Sequence, residues 1–204
     1  MGIEVRRLLG VPALYSAFSR FVGGNARAKY ARQYIRATPG ARILDIGCGP
    51  ADILEHLPAR VDYTGFDTSP HYIESAKDRF GDRGRFFCAD VGSNIENLGG
   101  DFDIVLANGV LHHLDDHAAI ALFESARIAL APGGRVVTLD GCIVPGQSAI
   151  ARYLLSRDRG AFVRTEVEYL RLAASVFREV NSSIRHDLMR VPYTHIIMEC
   201  ARPA

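Results

Sequence analysis

The 204-residue sequence predicts one α/β domain with a mainly parallel sheet and helices on both faces. From residue 41 to about residue 140, short apolar segments alternate with helical ones, which is typical of parallel strands joined by helices. Two apolar segments near the C-terminus predict a closing antiparallel hairpin. The hydrophobic content of 48% is ample for a core, and neither a repeat nor a low-complexity tract indicates a second domain.

The N-terminal segment is expected to form two helices. Apolar and basic residues recur at helical spacing in residues 3–22, Gly23 and Gly24 interrupt them, and a second helix is predicted from about residue 26 to 37. The basic residues predict either solvated helix faces or the mouth of a pocket for an acidic ligand. The helices themselves either pack on the sheet or cover the site as a lid.

The remaining elements follow in order. Five strands are predicted at residues 42–46, 62–66, 85–88, 102–107 and 134–139, with helices at 50–57, 70–80 and 117–130. A helix from 166 to about 180 and strands at 183–190 and 194–201 end the chain, with a tight connection at 191–193. The single domain thus has four parts: N-terminal helices (1–37), a core (41–141), an insertion (143–165) and a C-terminal helix with a hairpin (166–204).

Two glycines separate the first strand from the helix that follows it. Gly47 and Gly49 permit a tight turn with exposed backbone N–H groups, and Pro50 suits the first helical turn. The dinucleotide-binding fingerprint requires a third glycine where this chain has Asp52. Asp45 would repel a pyrophosphate but would suit a ligand with an amino group and a sulfonium, such as S-adenosylmethionine (SAM).

Four segments, in order, resemble the motifs of class I SAM-dependent methyltransferases of the small-molecule branch. They are LDIGCG at 44–49, YTGFD at 63–67, FFCADV at 86–91 and FDIVLANGVLHHL at 102–114. The resemblance implies a Rossmann-like, seven-stranded sheet, SAM as the cofactor, and a substrate-side role for the insertion. It also implies a cofactor site made of Asp45, Gly47, Gly49, Asp67, Thr68, Asp90, Val91 and Asn108.

The resemblance gives these side chains separate roles. Asp67 would bind the ribose hydroxyls, Asp90 with Val91 would meet the adenine, and Asn108 would lie beneath the methionine portion. Asp45 would lie near the positive end of the ligand. All of them fall at the carboxyl ends of predicted strands, where ligands bind in sheets of this kind.

Methyl transfer requires an aligned acceptor and, for some acceptors, removal of a proton. His113 is the predicted proton acceptor because it follows the fourth strand closely and an imidazole can take a proton near neutral pH. Its alternative role is a hydrogen-bonded histidine that fixes the loop. Tyr15 is a possible partner if the N-terminal helices form a lid, whereas His112 is expected to project differently.

The predicted acceptor is a small metabolite methylated on oxygen or nitrogen without a metal ion. The fourth strand lacks the Pro-Pro-aromatic sequence of base-methylating enzymes. The fifth lacks the acid pair of metal-dependent catechol enzymes, since Gly141 follows Asp140. Arg157 and Arg159 favour a phosphorylated or carboxylated metabolite. A metal site at His112, His113, Asp115 and His117 is the less favoured alternative.

Three other functions stay open: a SAM-binding or scaffold protein without catalysis, an RNA or protein methyltransferase, and a NAD-dependent oxidoreductase. The formal net charge of +1 does not indicate nucleic acid as a partner. Four dispersed cysteines are typical of a reduced, cytoplasmic protein, and no apolar run has the length of a membrane span. The sequence does not indicate an oligomeric state.

Overall fold

The computed structural model describes residues 26–92, 99, 101–157 and 160–202. The predicted helix at residues 3–22, the glycine break after it and Tyr15 lie outside the described residues. The second N-terminal helix lies within them, as α1 (Ala26–Tyr30), and it continues as one π-helical turn, Ala31–Ile35.

Within the described residues, the sheet has eight strands: β1 (Arg42–Ile46), β2 (Asp62–Asp67), β3 (Gly84–Cys88), β4 (Phe102–Asn108), β5 (Leu130–Ile143), β6 (Arg164–Thr165), β7 (Glu179–Arg185) and β8 (His195–Ala201). The main order is β3-β2-β1-β4-β5-β8-β7, and the short β6 pairs with the end of β5. β1 to β5 are parallel, whereas β8 is antiparallel to β5 and β7. The predicted parallel sheet with a C-terminal antiparallel hairpin is confirmed; the main order holds the expected seven strands, and β6 is an eighth that was not predicted.

Four further α-helices are α2 (Pro70–Phe80), α3 (Asp116–Ala129), α4 (Ala149–Ser156) and α5 (Glu166–Ala174). Their first turns are stabilised locally: Pro70 begins α2, where a missing N–H costs nothing, and the Asp115 carboxylate accepts from Ala118 N at 2.8 Å in α3. Every helix in the described part of the chain is too short or too polar to span a bilayer.

The two faces of the sheet carry separate apolar cores. Leu44 and Val105 pack in the core that contains the buried residues of α3 and α5. Ile43 and Ile104, their neighbours along β1 and β4, pack in the core that contains those of α1 and α2. Because successive strand residues point to opposite faces, this alternation places helices on both sides of the sheet, as predicted.

Several predicted boundaries are wrong. The fifth strand runs over Leu130–Ile143 rather than 134–139, and the strand expected at 183–190 is β7, Glu179–Arg185. The helix expected at residues 50–57 is a short 3₁₀ helix, Asp52–His56, because Ala51 has a left-handed φ of 55° that a right-handed helix cannot contain. α5 ends at Ala174 rather than near residue 180, since Phe177 turns into the core and β7 begins at Glu179. The hairpin connection is not tight: it covers residues 186–194 and buries Leu188.

Candidate active site

A cavity of about 1100 Å³ lies at the carboxyl ends of β1, β2, β4 and β5. This is the edge of a parallel sheet where the loops meet and ligands bind. The cavity brings together every predicted cofactor residue and one predicted proton acceptor: Asp45, Gly47, Gly49, Asp67, Thr68, Asp90, Val91, Asn108 and His113. Residues up to 68 positions apart therefore share one site, as the strand-end pattern predicted. Tyr15 lies outside the described residues.

The glycine loop is held against β2. Backbone N–H groups of Gly47 and Cys48 both donate to the Phe66 carbonyl, at 2.8 and 2.9 Å. Gly47 has a φ of +70°, and a Cβ there would lie 2.5 Å from Val110 Cγ2. Glycine is required at this position because any side chain would clash with the loop after β4.

Asp67 ties the glycine loop to the loop after β2. Its carboxylate accepts from Gly49 N at 2.9 Å and from Ser69 N at 2.8 Å, one bond on each oxygen. A carboxylate has about four lone-pair sites, so two bonds leave capacity for hydroxyl donors in the cavity. The residue therefore fits the ribose of SAM.

Asp45 is a buried carboxylate at the cavity, with 1% of its surface exposed. Tyr63 OH donates to Oδ2 at 2.6 Å, and Oδ1 accepts from none of the described residues. Burial raises the pKa of Asp45 to about 7. An unsatisfied buried carboxylate oxygen favours a cation, which fits the ammonium and sulfonium of SAM.

α1 contributes a residue that the sequence analysis missed. Tyr30, 3% exposed, lines the cavity, and its OH donates to Asn108 Oδ1 at 2.6 Å. Burial and then the charge of Asp45 raise the pKa of Tyr30 well above 10.0, so the phenol stays a donor. This contact orients the Asn108 amide, and it places the second N-terminal helix against the site.

The segment after β3 also lines the cavity. Asp90 is exposed, and its Oδ1 accepts from Gly92 N at 2.8 Å, which forms a turn. Val91 beside it is buried and packs in the core with Phe66. A buried apolar residue next to an exposed carboxylate suits an aromatic ring that carries an amino group.

A histidine and a carboxylate from the β4 and β5 side of the cavity contact each other. His112 Nδ1 lies 2.8 Å from Asp140 Oδ1, and both side chains are buried. His113 is exposed, and its ring lies 4.2 Å from that of His112, centroid to centroid. The contact between Asp140 and His112 was not predicted; the one signal for it in the sequence is the position of Asp140 at the end of the fifth strand.

The basic residues near α4 do not act together. Arg157 lines the cavity, whereas Arg164 is buried and donates to Asp116 Oδ1 and to carbonyls of the loop after β4. Arg159 lies outside the described residues. Of the predicted basic group, Arg157 therefore lines the cavity, whereas Arg164 stabilises the loop after β4.

Basic residues of the first described helix form ion pairs. Arg27 lies 3.1 Å from Asp52, and Lys29 is paired with Asp187. The structure does not bring together the residues of the alternative metal site. Asp115 caps α3, and no three metal-ligating side chains come together among the residues that the structure describes.

Residues 44–136 match the model of a protein family described as Methyltransferase domain. With the sheet topology and the glycine loop, this match supports a class I SAM-dependent methyltransferase fold with SAM as the cofactor. A trans-aconitate 2-methyltransferase of Paracidovorax citrulli is 31% identical over 129 residues, which are 60% of this chain and 46% of that protein. The chain spans less than half the length of the first curated relatives it matches.

Solved structures show the same fold. A TehB-like SAM-dependent methyltransferase from Corynebacterium glutamicum superposes with a TM-score of 0.63 at 20% identity, covering 87% of this chain and 88% of that one. A phosphoethanolamine N-methyltransferase 2 from Haemonchus contortus, in complex with S-adenosylhomocysteine, superposes with a TM-score of 0.72 at 16% identity, covering 89% and 54%.

Proposed function

We propose that this chain transfers a methyl group from SAM to an oxygen or nitrogen atom of a small metabolite, without a metal ion. The supporting observation is that one cavity has two chemically different halves. One half, at the ends of the neighbouring strands β1 and β2, carries the glycine loop, Asp45 and Asp67. The other, formed by the segments that follow β4 and β5, carries His112, His113 and Arg157 together with the Asp140 carboxylate that His112 contacts. SAM supplies a methyl group on a positively charged sulfur, so an acidic half suits the cofactor and a basic half suits the acceptor.

The cofactor half would bind SAM through groups already held in place. Asp67 would accept from the ribose hydroxyls while it keeps Gly49 N fixed at 2.9 Å. Thr68 lines the cavity directly after it. Asn108, oriented by Tyr30, would contact the methionine portion. Fixed polar groups lower the entropic cost of binding and of alignment.

The acceptor half favours an anionic small molecule. Arg157 lines it, and its guanidinium lies 5.4 Å from the Tyr153 ring centroid, at the end of α4. We place residues 143–165 on the substrate side for this reason. Several curated relatives are named trans-aconitate 2-methyltransferase, and trans-aconitate is a carboxylate. For an acceptor that must lose a proton, the prediction of His113, with Tyr15 as its partner, still stands.

Calorimetric titration of SAM and S-adenosylhomocysteine tests the cofactor half. We expect wild type to bind with micromolar affinity and Asp67→Ala to bind at least about 10-fold more weakly, which is about 1.4 kcal/mol, because the variant loses the ribose acceptor and a loop contact. Asp62→Ala is the matched control, since Asp62 lies at the other end of β2 and pairs with Arg85 at 3.1 Å. Absence of binding by wild type, or equal effects of the two substitutions, would refute the assignment.

An acceptor screen that measures released S-adenosylhomocysteine tests the basic half. With carboxylic acids such as trans-aconitate, phosphate esters and neutral phenols as probes, we expect anions to be methylated in preference. Arg157→Ala should raise the acceptor KM about 10-fold and leave SAM affinity unchanged, because one charge-assisted contact is lost. Arg152→Ala is the control: Arg152 lies on α4, which Arg157 caps at its C-terminus, but it does not line the cavity. An unchanged KM in Arg157→Ala removes the anion assignment.

A further inference from the structure

We infer that the connection between β7 and β8, residues 186–194, selects the acceptor, and that the acceptor it selects is an anion that carries an aromatic ring. The inference rests on the proposed function and names the substrate class of its acceptor half. Met189 and Tyr193 of the connection contact the ring of the acceptor, and Arg157 binds its charge.

The β7–β8 connection puts a thioether and a phenol ring on the cavity wall. Met189 and Tyr193 both line the cavity, and both residues are half-buried. The Tyr193 ring lies 4.7 Å from that of His195, centroid to centroid, at an interplanar angle of 46°, and His195 lines the cavity too. Aromatic rings favour tilted or offset aromatic neighbours, and a thioether sulfur packs well at a ring edge. This wall therefore favours a flat apolar group.

A glycine on β5 makes room for the Tyr193 side chain. A Cβ at Gly141 would lie 2.6 Å from the Tyr193 hydroxyl oxygen and 2.7 Å from Leu155 Cδ2. Tyr193 and the last turn of α4 therefore meet at one point of β5. Arg157, which also lines the cavity, follows Leu155 by two residues. The aromatic wall and the positive charge thus belong to the same part of the cavity, as an anion with an aromatic ring requires.

The β7–β8 connection is anchored near both of its ends. At its start, Leu188 is 3% exposed in the apolar core that contains the buried residues of α1, and Asp187 pairs with Lys29 of that helix. At its end, the Thr194 carbonyl accepts from Cys142 N of β5 at 3.0 Å. A wall that is held in place before the acceptor arrives loses little conformational entropy when it binds. The connection is therefore a preformed binding surface.

Arg157 supplies the charge for the anion. Its guanidinium lies 5.4 Å from the Tyr153 ring centroid and is in ion-pair contact with none of the acidic side chains that the structure describes. Asp140, which precedes Gly141, is fully buried and contacts His112 Nδ1 at 2.8 Å. An anion beside Arg157 therefore gains a charge-assisted contact without displacing a described partner.

Methyl NMR of the S-adenosylhomocysteine complex tests the wall without an acceptor that turns over. The chain has three methionines, of which Met189 lines the cavity and Met198 is fully buried in the core. Benzoate should shift the Met189 methyl signal through its ring current and leave that of Met198 unchanged. We expect benzoate to bind at least about 3-fold more tightly than cyclohexanecarboxylate, which has the same charge and carbon number but no aromatic ring. We also expect it to bind at least about 10-fold more tightly than acetate.

The outcomes of this titration separate the inference from the proposed function. A Met189 signal that benzoate does not move, or equal affinities for the three anions, would overturn the inference. Absence of S-adenosylhomocysteine binding by wild type contradicts the proposed function instead.

Substitutions in the β7–β8 connection provide the second test. Tyr193→Ala should weaken benzoate binding about 10-fold and remove the preference over cyclohexanecarboxylate, whereas Tyr193→Phe should keep both, because the ring makes the contact. Gly141→Ala should act like Tyr193→Ala, since its Cβ displaces the Tyr193 side chain without removing it. Val191→Ala is the matched control: Val191 lies in the same connection, 37% exposed and outside the cavity lining.

S-adenosylhomocysteine affinity should be unchanged in all four variants, and this measurement also shows that they are folded. Equal losses of benzoate affinity in Tyr193→Ala and Val191→Ala would overturn the inference. So would an aromatic preference that survives in both Tyr193→Ala and Gly141→Ala.

Discussion

Replacing Arg164 by Met is expected to lower the free energy of unfolding by about 3 kcal/mol. The side chain is 7% exposed and donates to the carbonyls of Leu111 and Leu114, at 3.0 and 2.7 Å, as well as to Asp116. Removing the guanidinium leaves carbonyl oxygens of this loop without their donor. Because His112 lies in the same loop, its contact with Asp140 should loosen as well.

Arg171→Met is the matched control for this substitution. Arg171 also donates to Asp116, at 2.8 Å, but its side chain is 69% exposed. An exposed ion pair contributes less than about 1 kcal/mol, so this variant should unfold at nearly the wild-type urea concentration. Urea unfolding of the three proteins measures the difference. Equal losses in the two variants would mean that the buried carbonyl contacts of Arg164 do not stabilise the loop.

Replacing Asp45 by Asn is expected to stabilise the free protein and to weaken SAM binding. The pKa of Asp45 is about 7 in the folded protein and 3.8 for an ordinary carboxyl. Between these values the folded protein holds a proton that the unfolded chain has released, so the stability of wild type falls as pH rises from about 4 to 7. Asn does not ionise, so the stability of the variant does not fall in this way as the pH rises. The expected gain is on the order of 2–4 kcal/mol at pH 8, and it disappears near pH 4.

SAM binding should respond in the opposite sense. The ionised carboxylate attracts the positive charges of SAM, so wild-type affinity should rise between about pH 6 and 8, and Asp45→Asn should bind at least about 10-fold more weakly. Urea unfolding at pH 4 and pH 8, with calorimetry at pH 8, measures both effects. Asp62→Asn, a substitution on the exposed end of β2, should change neither. A variant that loses both stability and affinity would mean that Asp45 is a structural residue.

Much of the fold could be predicted because its signals are local. The bounds of α2 are the predicted ones, since a proline starts it and its apolar residues recur at helical spacing. The first four strands are short apolar segments and differ from their predicted bounds by one residue at most. The strand after the glycine loop ends in an acid, and that pattern placed Asp67 correctly in the cavity.

Predictions failed where tertiary contacts outweigh local preference. The segment after Pro50 has helical composition, yet Ala51 adopts a left-handed conformation and only a short 3₁₀ helix follows. α5 stops early because burial of Phe177 turns the chain toward β7. Burial of an aromatic side chain stabilises by more than a few residues of helix propensity, so it decides where such an element ends.

The sequence by itself determined the alternation of strands and helices, the glycine loop and the acids at the strand ends, because each depends on residues close together in the chain. Only the tertiary structure decided which distant groups meet. Tyr30 reaches Asn108 across 78 positions, Arg164 reaches the Leu111 carbonyl across 53, and Asp140 reaches His112 across 28. Strand order and helix packing bring these groups together, and hydrophobic periodicity carries no information on which buried polar group will be a residue's partner.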